Sequence, residues 1–263
     1  MEGIIRITFF LSILVLMICW EIYAPRRSLI YPRWQRWTTN ISLSILNILF
    51  VRLTVGAAAF VAATTAFDHG WGILNSADLP SWLSFLITLV VLDVAIYGQH
   101  VASHHWRWLW RLHKIHHTDL DFDVTTAVRF HPIEIALSMG FKVVCIFILG
   151  ADPIAVIAFE IILSSCALFN HSNIYMPKKS DAVLRLFIVT PDMHRIHHSV
   201  IPIETNSNYG FSISVWDRLF GTYTAEPKAG HTKMTIGLAD YQKIDDIVLT
   251  RLLVMPLNVD KDV

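Results

Sequence analysis

Four stretches of this chain are long and apolar enough to cross a lipid bilayer, and the fourth is long enough to cross twice. They are Ile7 to Trp20, Ile41 to Phe67, Leu79 to Gln99, and Ile133 to Asn170. The last is broken at Gly150-Ala151-Asp152-Pro153, which reads as a turn between two helices of roughly 17 residues, the short end of spanning length. The whole chain is 54% hydrophobic and 16% charged. A soluble domain carries nearer a quarter of its residues as charges, so the surplus apolar surface must face something other than water. The expected fold is therefore all-α. About four or five membrane spans (5–24, 41–67, 79–99, 133–149 and 153–170) support a helical cap from 100–132 and 171–227. A more polar tail, 228–263, is expected to be peripheral. The first stretch could be a cleavable signal, but Tyr23-Ala24-Pro25-Arg26-Arg27 lacks a small-x-small site, so it reads as an uncleaved anchor.

Loop charge orients the spans. The loop after the first carries Arg26, Arg27, Arg33 and Arg36, whereas the loop after the second carries Asp68 and Asp78 and no basic residue. The positive-inside rule then puts the arginine loop in the cytoplasm. Following the chain onward, every histidine group falls on that same side, with His69 alone outside. Lys plus Arg (21) equals Asp plus Glu (21), which argues against a nucleic-acid partner. Cys19, Cys145 and Cys166 lie in apolar runs without metal-type spacing and read as small hydrophobes.

The thirteen histidines are the unusual count. His100 and His104 are spaced i, i+4. His113, His116 and His117 form an i, i+3, i+4 set, and His194, His197 and His198 repeat it. His171 stands alone in Asn170-His171-Ser172-Asn173. On a helix each set projects its rings from one face, about one turn apart. One His-x-x-His-His match is expected by chance roughly 0.03 times per chain, so two are a specific signal. Thr190, Pro191 and Asp192 write a helix start before the last set. Nine histidines on one side exceed the three or four ligands of one zinc and suit two metals, although imidazole alone accepts iron, zinc or copper.

The motifs, read in order, resemble those of the fatty acid hydroxylase/sterol desaturase superfamily of integral-membrane di-iron enzymes. The matching stretches are His100-x-x-x-His104, Trp110 to His117, Arg129-Phe130-His131-Pro132, Asn170 to Asn173, Thr190 to His198, Asn208-Tyr209-Gly210 and Trp216 to Tyr223. The resemblance implies two iron ions, dioxygen as co-substrate, and a lipid such as a sterol, fatty acyl chain, sphingoid base, alkylglycerol or carotenoid. It implies as ligands His100, His104, His113, His116, His117, His171, His194, His197 and His198. Members can supply a further histidine just before the last triplet, and Ser172 to Met193 contains none. With no haem-type carrier domain in the chain, the electron donor is expected to be a separate protein.

Such chemistry suits a lipid C–H bond: hydrogen abstraction followed by hydroxyl return gives an alcohol, and a second abstraction gives an alkene. Acids near the ligands can orient imidazoles through hydrogen bonds. Asp93, two turns before His100, is the leading candidate because a carboxylate within a span is costly and usually functional. It could equally pair with a neighbouring helix. His131, before Pro132, reads as structural or as a support behind the ligands. His105 points away from the His100–His104 face, and His69 and His231 read as surface residues. Arg52, Lys142 and Glu160 read as interhelical partners or snorkelling groups, and Trp216–Tyr223 as packing of the cap.

Two other classes compete. A zinc-dependent membrane hydrolase is disfavoured by the absence of a His-Glu-x-x-His motif. A non-catalytic metal-binding membrane protein or transporter would place its ligands at the bilayer midplane. A compact chain without a retention signal suits a bacterial inner membrane better than an endoplasmic reticulum.

Overall fold

In hydrocarbon an apolar run can satisfy its backbone only within itself, so each expected span should be helical. The computed structural model describes residues 2–54 and 56–258. Residue 55 of the second expected span and 259–263 of the expected tail lie outside them. The chain is all-helical, with three isolated β-bridges and no strand among the described residues. Five stretches are long and apolar enough to cross a membrane. The long elements are α1 (Glu2–Tyr23), α2 (Arg33–Thr54), α3 (Ala58–Asp68), a single turn α4 (Ile73–Ser76), α5 (Ser81–His105), α6 (Arg107–His117), α7 (Pro132–Leu149) and α8 (Pro153–Asn170).

The second span differs from expectation. Helix α2 begins eight residues before Ile41 and the stretch is split between α2 and α3, with Gly56 at φ +58° between them. The early start has a physical cause. Arg36 and Asn40 are fully buried, because α2 enters the cap and presents a polar face there. Hydropathy cannot see a polar helix face that the cap covers. Helix α5 likewise runs past Gln99 to His105, carrying its last histidines beyond the apolar stretch.

The bundle packs through small residues. Ala59, Ala62 and Ala63 of α3 are buried with Ile146 and Leu149 of α7, the close approach that dispersion-driven packing in lipid favours. At the far end two turns meet: a Cβ on Gly72 would lie 2.2 Å from the Gly150 backbone nitrogen, so glycine is needed there. Lys142 Nζ to Glu160 Oε1 (2.5 Å) and Arg6 to Glu160 Oε2 (3.1 Å) join α7, α8 and α1 as interhelical partners.

The cap comprises α6, a 3₁₀ turn at Val124–Val128, and the short helices α9 (Lys178–Leu184), α10 (Pro191–His197), α11 (Pro202–Thr205), α12 (Val215–Leu219) and α13 (Leu249–Val254). Its base is a buried ion network. The Arg36 guanidinium forks onto Asp119 (2.6 and 2.8 Å) and reaches Asp123 (2.7 Å), while Asn40 bridges Asp119 and Arg129. Burial would raise the Asp119 carboxyl, but the adjoining Arg36 and Arg129 charges hold it well below the usual carboxylate range. Glu21 of α1 accepts from the Val124 and Asn173 nitrogens, both at 2.7 Å, and pins two cap segments to the bundle.

These contacts change the reading of two segments. Arg26 pairs with Asp192, Arg27 donates to the Met234 carbonyl and Arg36 lies within α2. Three of the four arginines that oriented the spans therefore hold the cap. The tail from 229 to 258 is integral instead of peripheral: Met234 and Ile236 are buried against Phe122, and Leu252 and Met255 against Leu43 and Ile115. Burial of those four side chains accounts for its order.

Arg36→Met should leave two buried carboxylates without their cation and cost about 3–5 kcal/mol. Thermal unfolding of the detergent-solubilised protein checks this, and an unchanged midpoint would contradict the role given to Arg36.

Candidate metal centre

Each histidine set arrives on the end of a helix at the cap side of the bundle. His100 and His104 close α5, and His113, His116 and His117 close α6. His171 is the residue after α8, and His194 and His197 lie on α10 with His198 just past it. Helix α10 starts as its residues dictate: the Thr190 side chain accepts from the Met193 nitrogen and Pro191 takes the first helical position. Short loops alone could not hold four sets together. The chain crosses the bundle between them, and the spans bring them to one end.

Nine rings thereby converge as two groups. His100, His104, His113, His117 and His197 form one, and His116, His171, His194 and His198 the other, with ligand atoms within 4.8 Å of one another in each group. All except His104 are buried. The two groups touch: His117 stacks on His198 at 4.5 Å between ring centres, and His113 lies 5.4 Å from His116. Phe130 stacks on His116 at 4.4 Å, while Trp110 lies 4.9 Å from His104. Aromatic side chains thus flank both groups.

Hydrogen bonds set the ring tautomers. Nδ1 of His100 contacts the Tyr209 carbonyl (2.7 Å), of His197 the Ser207 carbonyl (2.7 Å), of His171 the Ala167 carbonyl (2.8 Å) and of His116 the Arg129 carbonyl (3.2 Å). A carbonyl oxygen only accepts, so each Nδ1 carries the proton and donates it. Burial drives His116, His117, His194 and His198 well below the ordinary histidine range, with neighbouring imidazoles adding to it. It also takes His171 to about 4 and His197 to about 3. In such a neutral ring Nε2 is a bare lone pair.

Those lone pairs point at one another. Nε2 of His171 is 3.0 Å from Nε2 of His116, and Nε2 of His100 is 3.0 Å from that of His197 and 3.1 Å from that of His113, whose Nδ1 faces a carboxylate. Two acceptors at that distance repel unless a cation sits between them. Adjacent nitrogens each about 2.1 Å from a common ion lie about 3.0 Å apart when at right angles. Further buried ring nitrogens, including both of His117, both of His198 and Nε2 of His104, have no hydrogen-bond partner. Buried polar atoms are normally satisfied, and a pair of transition-metal ions is what this all-nitrogen donor set fits.

The supporting residues only partly match expectation. Asp93 contacts none of the nine rings through its hydrogen bonds, which come from Trp216 Nε1 (2.8 Å) and the Ile213 nitrogen (3.3 Å). His131 caps α7, accepting from the Ile133 nitrogen, and its other nitrogen faces the Leu253 carbonyl. The carboxylate that does hold a ring is Glu134, 2.6 Å from His113 Nδ1. Its signal is an acid in the first turn of an apolar helix, related to the one singled out at Asp93. Asp217 of the Trp216–Tyr223 stretch accepts from the Tyr209 and Gly210 nitrogens, fixing the peptide whose carbonyl holds His100. His105 is exposed, as is His69. His231 is buried beside Glu226 (3.3 Å) instead of lying on the surface.

A membrane-spanning helical bundle capped at one end by two buried imidazole groups is a narrow structural class. Residues 85–222, more than half the chain, match the family model for fatty acid hydroxylases. The chain belongs to the fatty acid hydroxylase family. It is 29% identical over 182 residues to an ornithine lipid hydroxylase of Rhizobium tropici, covering 68% of this chain and 53% of that protein. It is 30% identical over 164 residues to an alkylglycerol monooxygenase of Xenopus tropicalis, covering 61% and 35%. It is also 24% identical over 202 residues to a Δ7-sterol 5(6)-desaturase of Aspergillus fumigatus, covering 75% and 57%. The chain thus spans about half the length, or less, of the first two relatives. No solved structure matches it.

Ferrous-iron titration of the purified protein should reveal two sites. Glu134→Gln should weaken the site containing His113 by about 10–100-fold, the usual effect of losing a partner behind a ligand. No change in that site, or equal weakening of both, would remove Glu134 from this role.

Proposed function

We propose that this protein is a membrane-bound di-iron oxidoreductase that uses dioxygen to hydroxylate or desaturate a lipid C–H bond. The observation that supports it best is the convergence of nine imidazoles, most of them with Nδ1 committed to an oxygen acceptor, into a group of five and a group of four. In this reading His100, His104, His113, His117 and His197 hold one ion, and His116, His171, His194 and His198 the other. Bound iron supplies the electron exchange with dioxygen that cleavage of an unactivated C–H bond requires.

The protein's part is binding, orientation and exclusion of water. The backbone carbonyls of Tyr209, Ser207, Ala167 and Arg129 hold four rings in one tautomer, so ligation needs no proton rearrangement at those positions. Glu134 accepts from His113 Nδ1 and fixes the orientation of that ring. The wall of Phe130, Trp110 and Phe122 keeps bulk water from a site that handles reactive oxygen. Phe211 lies within 6.3 Å of His100, His171 and His194 between ring centres, so it contacts both groups from one side.

The names of the relatives support an amphipathic lipid substrate, since they include an ornithine lipid hydroxylase, an alkylglycerol monooxygenase and a sterol desaturase. A site on the ends of membrane helices lets such a lipid reach the ligands without leaving the bilayer. We place the cap on the cytoplasmic side of a bacterial inner membrane, where a separate protein delivers the electrons. A zinc hydrolase would need three or four ligands, whereas nine imidazoles converge here.

Anaerobically purified protein should contain two irons per chain and consume oxygen when its lipid is supplied. One tightly held zinc with no oxygen dependence would refute the proposal. His116→Ala and His197→Ala should each abolish lipid oxidation, seen by comparing lipid extracts of expressing cells, while the protein still inserts. Full activity in either variant would exclude that histidine as a ligand.

A further inference from the structure

The cap carries an inverted surface beside α5. From 181 to 187 and from 213 to 221 every exposed residue is apolar, while Asp181, Arg185, Ser214 and Asp217 are buried and half-buried Arg218 folds over the Tyr223 ring and bonds to Ser214. The exposed set includes Val183, Leu186, Phe187, Val215, Leu219 and Phe220, with Phe187 and Leu219 exposed by 67% and 65%. The two segments form one unit. The Ser214 nitrogen donates to the Phe187 carbonyl at 3.1 Å and the Val189 nitrogen to the Ser212 carbonyl at 3.0 Å. A water-facing surface of a cap would show the reverse pattern, since contiguous exposed apolar patches mark a surface with a partner.

Its position on α5 identifies the partner. Trp216 Nε1 donates to Asp93, the Tyr97 hydroxyl meets Thr222 Oγ1 at 2.9 Å, and the Tyr97 ring stacks on Phe220 at 5.3 Å. Asp93 and Tyr97 lie well inside the span Ser81–His105. With exposed Trp82 at the far interface, about 20 residues of α5 fill the hydrocarbon and end near Ala102. At 1.5 Å per residue, Tyr97 and Asp93 then sit about 8 and about 14 Å inside that boundary. The segment that covers them sits at the same depth, and its apolar surface continues the lipid-facing surface of α5.

We propose that 181–187 and 213–221 form a lip of the cap that is immersed in the bilayer, with the acyl chains of the lipids as its partner. The lip also resolves a cost within α5. Asp93 would otherwise meet hydrocarbon, and the lip supplies it with an indole N–H and a backbone N–H. Exposed Lys178 and Lys179 open α9, cations suited to the phosphate layer where the lip leaves the bilayer. The immersion does not depend on the chemistry proposed for the histidines.

The test is collisional accessibility by electron paramagnetic resonance in the full chain. With Cys19, Cys145 and Cys166 replaced by alanine, single cysteines are introduced as Phe187→Cys, Leu219→Cys and Val215→Cys, with Glu226→Cys as the aqueous reference. Each is spin-labelled and reconstituted into vesicles of phosphatidylethanolamine and phosphatidylglycerol. Labels at 187, 215 and 219 should collide with lipid-soluble oxygen several-fold more than with a water-soluble nickel chelate, and the label at 226 should show the opposite order. Nickel accessibility at the three lip positions equal to that at 226 would overturn the proposal by placing the lip in water. Protection from both reagents would overturn it by showing that protein, for instance a second copy, covers the lip. Three separate lip positions keep the test decisive if one variant fails to fold.

Discussion

The rest of this structure depends on the locking of buried imidazoles by carbonyl oxygens. A neutral histidine can present either nitrogen, and a site built from nine of them could scramble into hydrogen-bonded pairs. Here Nδ1 of His100, His116, His171 and His197 is committed to backbone carbonyls, so the Nε2 lone pairs have nowhere to turn except toward one another. Burial keeps His116, His171 and His197 neutral by making the protonated form costly. The fold therefore holds a concentration of electron pairs that protein alone does not satisfy.

Holding those carbonyls in place is the work of the cap. The Tyr209 carbonyl is positioned because Asp217 accepts from the nitrogens of Tyr209 and Gly210. The Arg129 carbonyl is positioned because its own guanidinium reaches Asn40 and the Ile115 carbonyl. Asn40 belongs to α2, whose Arg36 forks onto Asp119. A buried ion network can be weak evidence for stability, but this one ties a membrane helix to a metal-type site, so the geometry of the rings follows from the geometry of the bundle. The tail adds a last tie, the Gly237 nitrogen donating to the His198 carbonyl at 3.0 Å.

Much of this was legible from residue spacing. The repeated His-x-x-His-His sets, the His100–His104 pair and lone His171 named all nine rings that converge, because i, i+3, i+4 spacing places rings on one helical face. Lys142 and Glu160 were legible as interhelical partners, since charges within spans need one. Glu134, and not Asp93, stands behind the rings. Both are acids in apolar helices, and only the packing of α5 against α12 and of α7 against α6 tells which one meets a histidine and which meets Trp216. The burial of His231 and of Met234, Ile236, Leu252 and Met255 in the tail has no local signature, because local polarity says nothing about distant cover.

The amino-acid sequence by itself determined the helical class, the spans as apolar runs, the start of α10 at Thr190 and the histidine inventory. These are local properties, set by hydropathy, capping and helical period within a few residues of each position. Tertiary structure alone decided how the nine rings divide into five and four, which carbonyl holds each Nδ1, and that Arg36 lies buried in a helix instead of in a charged loop. Most of those outcomes depend on residues far apart in the chain, such as His100 and Tyr209 or Arg36 and Asp119, which meet only when the helices pack; the His171–Ala167 contact, one helical turn apart, is the local exception.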